Sequence, residues 1–272
     1  MRVAVCQMRS GEDVEANLNA AADLLRDAAD GGADLAILPE LFAYLGPEGR
    51  IPEIAETLPD GRISERIASI ARERAMWVLG GSVHEVEEGR IYNSAPLFDR
   101  SGELVARYRK IHLFDVDLGG QAPFRESATF TAGTEIVTYP VEDVRVGLSI
   151  CYDLRFPELF RSLMALGAEL VVVPAQFQHR TGTAHWHVLL RARAIEDQLF
   201  VAAAAQWGAF RSPEEGRRSY GHSIVVDPWG SVVVEAPEEG SGVWFADVDL
   251  TELRRIRSIL PALEHRRLGL VC

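Results

Sequence analysis

The 272-residue sequence is poor in basic residues and in lysine above all. Lysine and arginine together number 28, and Lys110 is the only lysine among them. With 40 acidic residues the formal net charge is −12. Nucleic acids and anionic membrane surfaces are bound by basic faces, so this charge argues against either as a partner. A local group of arginines could still hold a small anion.

Cysteines and long apolar runs are also scarce. The three cysteines, Cys6, Cys151 and Cys272, lie far apart, which argues against a disulfide framework or a thiolate zinc site. The alternating run "RVAVCQM" predicts that Cys6 is a buried, inert thiol in a strand. No run approaches the roughly 18 apolar residues of a membrane span, and the first residues turn polar too early for a secretory signal. The sequence therefore predicts a cytoplasmic protein without a membrane partner.

What the sequence does contain is a succession of strands and helices. Runs such as "DLAILPE" and "ELVVVPA" are typical of strands covered on both faces. "DVEANLNAAADLLRDAADGGA" and "TAHWHVLLRARAIEDQ" have helical apolar spacing. The strands are too many for one open sheet of this length, so we expect an α/β protein with two stacked mixed sheets and helices outside. No break in composition divides the chain, and we expect one domain over 1–272.

Four side chains stand where strands end or a loop returns, which is where sites gather in layered α/β proteins. "LAILPE" ends at Glu40, "ELVARYRK" at Lys110 and "VRVGLSIC" at Cys151, and the loop "GGQAPFRES" carries Glu126. A cysteine at a strand-to-helix turn can attack a carbonyl or nitrile carbon. Nearby cations or a helix N-terminus would favour its thiolate form.

Such a nucleophile needs a base and donors for the oxyanion. A glutamate at a neighbouring strand end could be the base, and the Lys110 ammonium with the backbone N–H of Tyr152 could bind the oxyanion. Lysine is a compact point charge, which suits a space between two carboxylates better than the planar fork of arginine. Spacing alone does not bring these residues together. Each residue also has a plain structural interpretation. Lys110 would then be a surface lysine, Glu40 and Glu126 solvated carboxylates, and Cys151 a buried core thiol.

Histidine chemistry is an alternative. A cysteine hydrolase could pair Cys151 with one of five histidines. These are His112, His179, His185, His187 and His222. The segment "HRTGTAHWH" also raises a metal site, but its last two histidines, two residues apart, point to different sides of a helix. We therefore predict no metal. A third possibility is a catalytically silent scaffold, against which the intact set of Glu, Lys and Cys argues.

Three segments, "AILPELF", "YRKIHLFD" and "GLSICYDLRFPEL", resemble in order the signature segments of the carbon–nitrogen hydrolase (nitrilase) superfamily. The resemblance covers essentially the whole chain and implies a four-layer α-β-β-α sandwich. It implies Cys151 as nucleophile, Glu40 as general base, Lys110 as oxyanion stabiliser and Glu126 as a second glutamate that positions the lysine and the substrate. It also implies no cofactor and a homodimer or higher homo-oligomer. The tail at about 251–272 is a candidate for the subunit interface.

Within the superfamily the chain resembles the Nit-type amidase branch, through "TGTAHWHVLLRARAIEDQ" and "YGHSIVVDPWG". The likeness is nearer to deaminated glutathione amidases than to omega-amidases, which act on 2-oxoglutaramate or 2-oxosuccinamate. The substrates of both kinds of enzyme are small anionic amides, and Arg155 and Thr181 are candidates to bind such a substrate. Thr183 and Gly119 replace prolines of the branch and His187 replaces a glutamate. We expect these changes to border the pocket, and they leave the exact substrate open.

Overall fold

The computed structural model describes residues 1–117, 123–210 and 217–268. The strands are β1 Arg2–Gln7, β2 Leu35–Ile37, β3 Trp77–Leu79, β4 Val83–Glu87, β5 Arg90–Phe98, β6 Leu104–Arg109, β7 Asp115–Val116, β8 Phe124–Arg125, β9 Thr138–Val141, β10 Val144–Leu148, β11 Leu170–Ala175, β12 Phe200–Ala205, β13 Trp207–Ala209, β14 Arg218–Tyr220, β15 Ile224–Val226, β16 Val232–Glu235 and β17 Gly242–Asp247. The α-helices are α1 Val14–Asp30, α2 Ile51–Ile54, α3 Arg62–Arg74, α4 Pro157–Ala165, α5 His179–Asp197 and α6 Leu250–Ile259. Short 3₁₀ segments cover Glu48–Arg50, Glu126–Ala128 and Cys151–Arg155.

Two sheets make up the centre of the fold. The first has the order β17-β1-β2-β3-β5-β4, with β6 also paired to β5, and the second has the order β16-β15-β12-β11-β10-β9. In the first sheet β1, β2 and β3 run parallel, and the flanking strands are antiparallel. In the second sheet the parallel strands are β10, β11 and β12. Both sheets are therefore mixed, as predicted.

Alternate residues of β1 show how the layers stack. Val3 and Val5 pack into a core shared with the second sheet, whereas Ala4 and Cys6 pack into a core with α1 and α3. The second sheet is covered by α4 and α5 through residues such as Phe160 and Trp186. Because successive strand residues point to opposite faces, each sheet is apolar on both sides. The layers are α-β-β-α, and the predicted fold class is confirmed.

Cys6 lies fully buried in this core. Burial raises the pKa of its thiol from 9.0 to about 12, and the charge of Asp27 contributes to this rise. At neutral pH the residue is therefore a small apolar side chain without nucleophilic character.

The helix α5 begins earlier than its sequence pattern predicts. The pattern predicts a start at "TAHWH", but the helix begins at His179 and contains Gly182 in its first turns. A Cβ on Gly182 would overlap the ring of Tyr220, so the glycine lets the strand β14 approach the helix closely. The additional turn carries Thr181 to the edge of the cleft described below. In the described part of the chain, no helix has both the length and the apolar character that crossing a membrane requires.

Candidate active site

The predicted site residues lie at one cleft between the strand ends of the two sheets. Glu40 follows β2, Lys110 follows β6 directly, and Cys151 opens a 3₁₀ turn after β10. Glu126 begins another short 3₁₀ turn. All four line one cleft that is partly open to solvent. The structure thus brings Glu40 and Cys151, which are 111 positions apart in the sequence, to the same cleft.

Lys110 lies between the two glutamates and is only 2% exposed. Its Nζ donates to Glu40 Oε1 at 2.8 Å and to the two oxygens of Glu126 at 3.0 and 2.9 Å. Burial on its own lowers the pKa of Lys110, but the charges of Glu126 and Glu40 overcome that effect and raise the pKa well above its ordinary value. The ammonium is therefore permanently charged, and its position is fixed by three hydrogen bonds.

Further donors hold the two carboxylates. The Asn93 side chain donates to Glu40 Oε1 at 2.9 Å and to Glu126 Oε1 at 3.1 Å. The Gln176 backbone N–H donates to Glu40 Oε2 at 2.7 Å, and the Phe114 N–H donates to Glu126 Oε2 at 2.6 Å. Buried carboxylates need such partners to stay ionised. Each oxygen of both glutamates has at least one donor.

Cys151 has a left-handed backbone, with φ of 46°. Such a conformation costs an ordinary residue about 1–2 kcal/mol and is typical of a nucleophile on a sharp turn after a strand. The thiol and the Glu40 carboxylate line the same cleft, close enough for the carboxylate to act on the thiol pKa. Burial first, and then the Glu40 charge, raise the pKa of Cys151 well above its ordinary value, against the opposite effect of Lys110. The group therefore rests as a thiol beside a carboxylate able to remove its proton.

Asp153 anchors the turn that carries Cys151, and it was not among the residues predicted from the sequence. It is fully buried. Its Oδ2 accepts from the Ile150 N–H at 2.9 Å and from the Tyr108 hydroxyl at 2.7 Å, and its Oδ1 accepts from the His112 N–H at 3.1 Å. The available signal is its place two residues after the cysteine, where an aspartate commonly binds the backbone of a turn.

The wall of the cleft contains the remaining predicted residues, Tyr152, Arg155 and Thr181. The Arg155 guanidinium lies 5.7 Å from the Tyr152 ring centre and 5.1 Å from that of Phe177, and its Nη1 lies 3.1 Å from His185 Nδ1. Within 1–117, 123–210 and 217–268 no carboxylate pairs with it. Gln178 also lines the wall, and its buried Nε2 has no partner among the described residues. The Arg155 guanidinium and the Gln178 amide can donate to an anionic ligand.

The rival histidines are engaged elsewhere. His179 contacts Glu238, and His187 and His222 both contact Glu235. His112 lies 2.7 Å from Asp153 and stacks on Phe156, and the His185 ring contacts Arg155. None of the five candidates lines the described cleft, whose only histidine in these ranges is His84. The geometry favours the glutamate over a histidine as base.

Two of the three departures from the branch, Thr183 and His187, lie away from the cleft as described. Neither Thr183 nor His187 lines it, so the expectation that they border the pocket is wrong for these two. Thr183 instead donates to the Arg180 carbonyl at 3.3 Å within the helix. Gly119 lies outside the described residues.

A buried thiol next to a carboxylate and an ammonium, at the strand ends of an α-β-β-α sandwich, indicates a hydrolase that acts through a cysteine. The model of the carbon–nitrogen hydrolase family matches residues 2–258. The chain belongs to this family. Because its curated relatives are amidases, it is an amide-hydrolysing enzyme.

Two of these relatives are similar over nearly all of the chain. Deaminated glutathione amidase of Bos taurus is 44% identical over 97% of this chain and 81% of its own length. Omega-amidase NIT2 of Mus musculus is 38% identical over 99% of this chain and 96% of its own length.

Solved structures of proteins from the nitrilase superfamily are also similar to this chain. The NitFhit protein of C. elegans has a TM-score of 0.88 and 38% identity, covering 98% of this chain, which spans 65% of that longer protein. A glutamate-to-glutamine mutant of the amidase from Nesterenkonia sp. AN1, which carries a covalent acetamide adduct on its active-site cysteine, has a TM-score of 0.82 and 27% identity. It covers 98% of this chain, which spans 94% of it.

Proposed function

We propose that this protein hydrolyses the amide bond of a small anionic substrate, with deaminated glutathione as the first candidate. The observation that carries the proposal is the buried contact of Lys110 with Glu40 and Glu126 beside the Cys151 thiol. The substrate follows from the likeness to deaminated glutathione amidases. In that substrate the amide joins a 2-oxoglutaryl group to cysteinylglycine.

In the first half-reaction Glu40 takes the thiol proton as Cys151 Sγ bonds to the amide carbon. The carbonyl π electrons move to oxygen, and Lys110 with the Tyr152 N–H stabilises the resulting oxyanion. The intermediate collapses to a thioester, the carbon–nitrogen bond breaks, and protonated Glu40 gives its proton to the leaving amine. Glu126 holds Lys110 throughout, so the ammonium keeps its position when Glu40 is neutral.

In the second half-reaction water attacks the thioester. Glu40, ionised again, takes a proton from that water, and Lys110 stabilises the second oxyanion. The intermediate expels the Cys151 sulfur, which receives the proton from Glu40. The products are a carboxylic acid and the free thiol, so that atoms and charge balance over one turnover.

The cleft wall supports an anionic substrate. Arg155 is half-buried and has a guanidinium with no carboxylate partner in the described ranges, and Gln178 Nε2 and the Thr181 hydroxyl lie along the same wall. Arginine binds a carboxylate through two parallel donors, which fixes its orientation. Aromatic residues of the cleft, such as Phe124 and Phe130, can pack against the rest of the acyl chain.

A direct test compares the hydrolysis of deaminated glutathione with that of 2-oxoglutaramate at matched concentrations. Release of cysteinylglycine is followed by mass spectrometry and release of ammonia by a coupled assay. We expect a higher kcat/KM for deaminated glutathione, and no release of either product by Cys151→Ser. If neither compound is hydrolysed while a neutral amide is, an anionic substrate is wrong.

Arg155→Met tests the anion site. Because a hydrogen bond to a charged group contributes about 1.5–3 kcal/mol, we expect a loss of about 10- to 100-fold in kcat/KM for the anionic amide. A neutral amide should be hydrolysed by the variant as by the wild type. Arg145→Met, on an exposed position of β10, is the matched control and should leave both rates unchanged.

The second candidate is omega-amidase activity, favoured by the relative that is 38% identical over 99% of the chain. Its reaction uses the same groups and differs in the leaving group, which is ammonia. The distinction therefore depends on how much of the cleft receives the cysteinylglycine moiety. A kcat/KM that is higher for 2-oxoglutaramate than for deaminated glutathione would favour this candidate.

We also propose that the protein acts in the cytoplasm as a homodimer or larger homo-oligomer. Exposed apolar side chains on the outer layer support the assembly, among them Val188 and Ile195 on α5 and Leu166 just after α4. The tail at about 251–272, predicted as an interface segment, is described only to residue 268. Light scattering coupled to gel filtration measures the assembly, and a monomer at micromolar concentration would contradict it.

A further inference from the structure

Two histidines and a glutamate meet on the outer side of the second sheet. His187 lies on α5, His222 lies just before β15, and Glu235 is the last residue of β16. His187 Nε2 lies 2.9 Å and His222 Nδ1 lies 2.6 Å from the same oxygen, Glu235 Oε1. One ligand atom from each residue lies within 4.8 Å of both others. None of the three lines the catalytic cleft.

The size of this triangle suits a transition-metal ion. Zinc binds histidine nitrogen and carboxylate oxygen at about 2.0–2.2 Å, which places tetrahedral donors about 3.3 Å apart. The two distances to Glu235, 2.9 and 2.6 Å, are slightly shorter, and no pair exceeds 4.8 Å. Small shifts of exposed side chains would therefore bring the three donors to ligand distance. The side chains are 20–32% exposed, which leaves solvent access for a water as fourth ligand.

The backbone holds these donors in place. His222 has a left-handed conformation with φ of 54°, and its carbonyl accepts from Trp186 Nε1 at 2.9 Å. Trp186 is fully buried and neighbours His187 in the helix, so the two histidines are tied to one another. Glu235 is paired in register with Ile224 between β15 and β16.

The charge of the group also favours a cation. Glu235 presents one carboxylate oxygen to both rings at hydrogen-bond distance. The carboxylate is ionised at neutral pH. A bound ion would replace the two ring protons that now face Glu235, each moving to the other ring nitrogen or to solvent.

We propose that His187, His222 and Glu235 form a binding site for Zn²⁺ or a similar divalent transition metal, separate from the catalytic cleft. Two imidazoles and one carboxylate are a ligand set that zinc adopts in proteins, with water completing the tetrahedron. The ion joins the helix α5 to the hairpin of β15 and β16, so its effect is on the stability of that contact.

The test measures metal content directly. Tag-free protein is incubated with a buffered Zn²⁺ solution and separated from free metal by gel filtration, and zinc per chain is determined by mass spectrometry. The variants are His187→Gln and His222→Gln. His179→Gln is the matched control, because that histidine lies on the same helix and contacts Glu238 instead. Cys151→Ser identifies any ion bound by the catalytic thiol.

We expect one zinc per chain in the wild type, in His179→Gln and in Cys151→Ser, and a loss of at least 10-fold in affinity in both His187→Gln and His222→Gln. Added Zn²⁺ should raise the melting temperature of the wild type but not of these two variants. Co²⁺ should give visible absorption of a four- or five-coordinate ion with nitrogen ligands. Should either variant fold poorly by circular dichroism, Glu235→Gln provides the same comparison with both rings intact.

Three results would overturn the proposal. One is the absence of stoichiometric zinc in the wild type at micromolar free metal, which would leave the group as a hydrogen-bonded cluster. Another is loss of the zinc in Cys151→Ser, which would place the ion in the catalytic cleft. The third is undiminished binding in His222→Gln.

Discussion

The Tyr108 hydroxyl donates to Asp153 Oδ2 at 2.7 Å, and this bond joins the strand that ends beside Lys110 to the turn that begins at Cys151. Both partners are fully buried. Lys110 lies two residues after Tyr108, and Cys151 lies two residues before Asp153. These two residues carry the ammonium and the thiol of the proposed reaction. A contact outside the cleft therefore supports the positions of Lys110 and Cys151, in addition to the hydrogen bonds of Lys110 with Glu40 and Glu126.

Tyr108→Phe should reduce kcat without abolishing it. The change leaves a buried carboxylate oxygen with one donor fewer, which costs about 1–3 kcal/mol of stability. The turn of Cys151 loses part of its support, and we expect kcat to fall about 10-fold with KM nearly unchanged. Tyr139→Phe, on β9 and away from the site, is the control. A Tyr108→Phe enzyme with lowered melting temperature and full kcat would show that the bond serves stability alone.

Lys110→Arg should lose nearly all activity although the charge is retained. The Lys110 ammonium occupies a buried space that Glu40 and Glu126 share, and a planar guanidinium cannot place one donor between them in the same way. Since removal of one oxyanion donor costs on the order of 10²–10³ in rate, we expect a loss of that size in kcat. Arg145→Lys controls for exchange of the two residue types. A Lys110→Arg variant with most of its activity would contradict the assigned role.

The pKa of Cys151 should move in opposite directions in two variants. The Glu40 charge raises this pKa and the Lys110 charge lowers it, with burial as the largest effect. Glu40→Gln should therefore shift the thiolate titration to lower pH, and Lys110→Met should shift it to higher pH. The titration is read from the ultraviolet absorbance of the thiolate, with Cys151→Ser subtracted. Shifts of the same sign in both variants would show that the thiol does not lie between these charges.

Removing Glu40 also separates reactivity from activity. In Glu40→Gln the thiol ionises more readily, but no general acid remains to protonate the leaving amine. We expect amide hydrolysis to fall by at least about 10²-fold, the usual size of a general acid–base contribution, while the acyl-enzyme mass adduct with an activated ester still forms. If the variant hydrolysed the amide at the wild-type rate, the proposed base would be wrong and a histidine would have to be sought.

Glu40, Lys110 and Cys151 can be selected from the sequence because each stands at the end of a predicted strand, and the resemblance to the carbon–nitrogen hydrolases is what joins them into one predicted site. Asn93 cannot be selected in this way, although it donates to both glutamates. Its partners stand 53 and 33 positions away, and nothing in "RIYNSAPLF" indicates which groups meet it. For Asp153 the bond from the Ile150 N–H is a local signal, but its partners on β6 and in the segment after it cannot be read from the sequence. Strand ends are local signals, whereas buried polar pairs are properties of the packed chain.

The same difference explains two features of the chemistry that the sequence does not reveal. Cations near Cys151 favour the thiolate, but burial and the Glu40 carboxylate determine its pKa. The three histidines of "HRTGTAHWH" are close in sequence, but each has a different partner in the structure. In the structure His187 instead meets His222, 35 positions away, through Glu235. Neither the depth of a group nor its distant partner can be read from a periodic pattern.

His84 should make the folded enzyme sensitive to acid. It is buried at the edge of the cleft and stacks on Phe130 at 5.7 Å, and burial lowers its pKa from 6.5 to about 4. Between these values the unfolded chain binds a proton that the folded one excludes, so stability is fully present above pH 6.5 and is lost as the pH falls toward 4. From pH 7 to pH 5 the loss due to this residue is about 2 kcal/mol.

His84→Asn removes this titration. We expect the free energy of unfolding, measured with urea at pH 7 and pH 5, to fall by about 2 kcal/mol less in the variant than in the wild type. The comparison of two pH values cancels the cost of the lost ring stacking, since that cost is present at both. His265→Asn, exposed near the end of the described chain, is the control and should leave the difference unchanged. An equal fall in His84→Asn and wild type would mean that His84 is protonated in the folded enzyme, with solvent or a polar partner reaching its ring from the cleft.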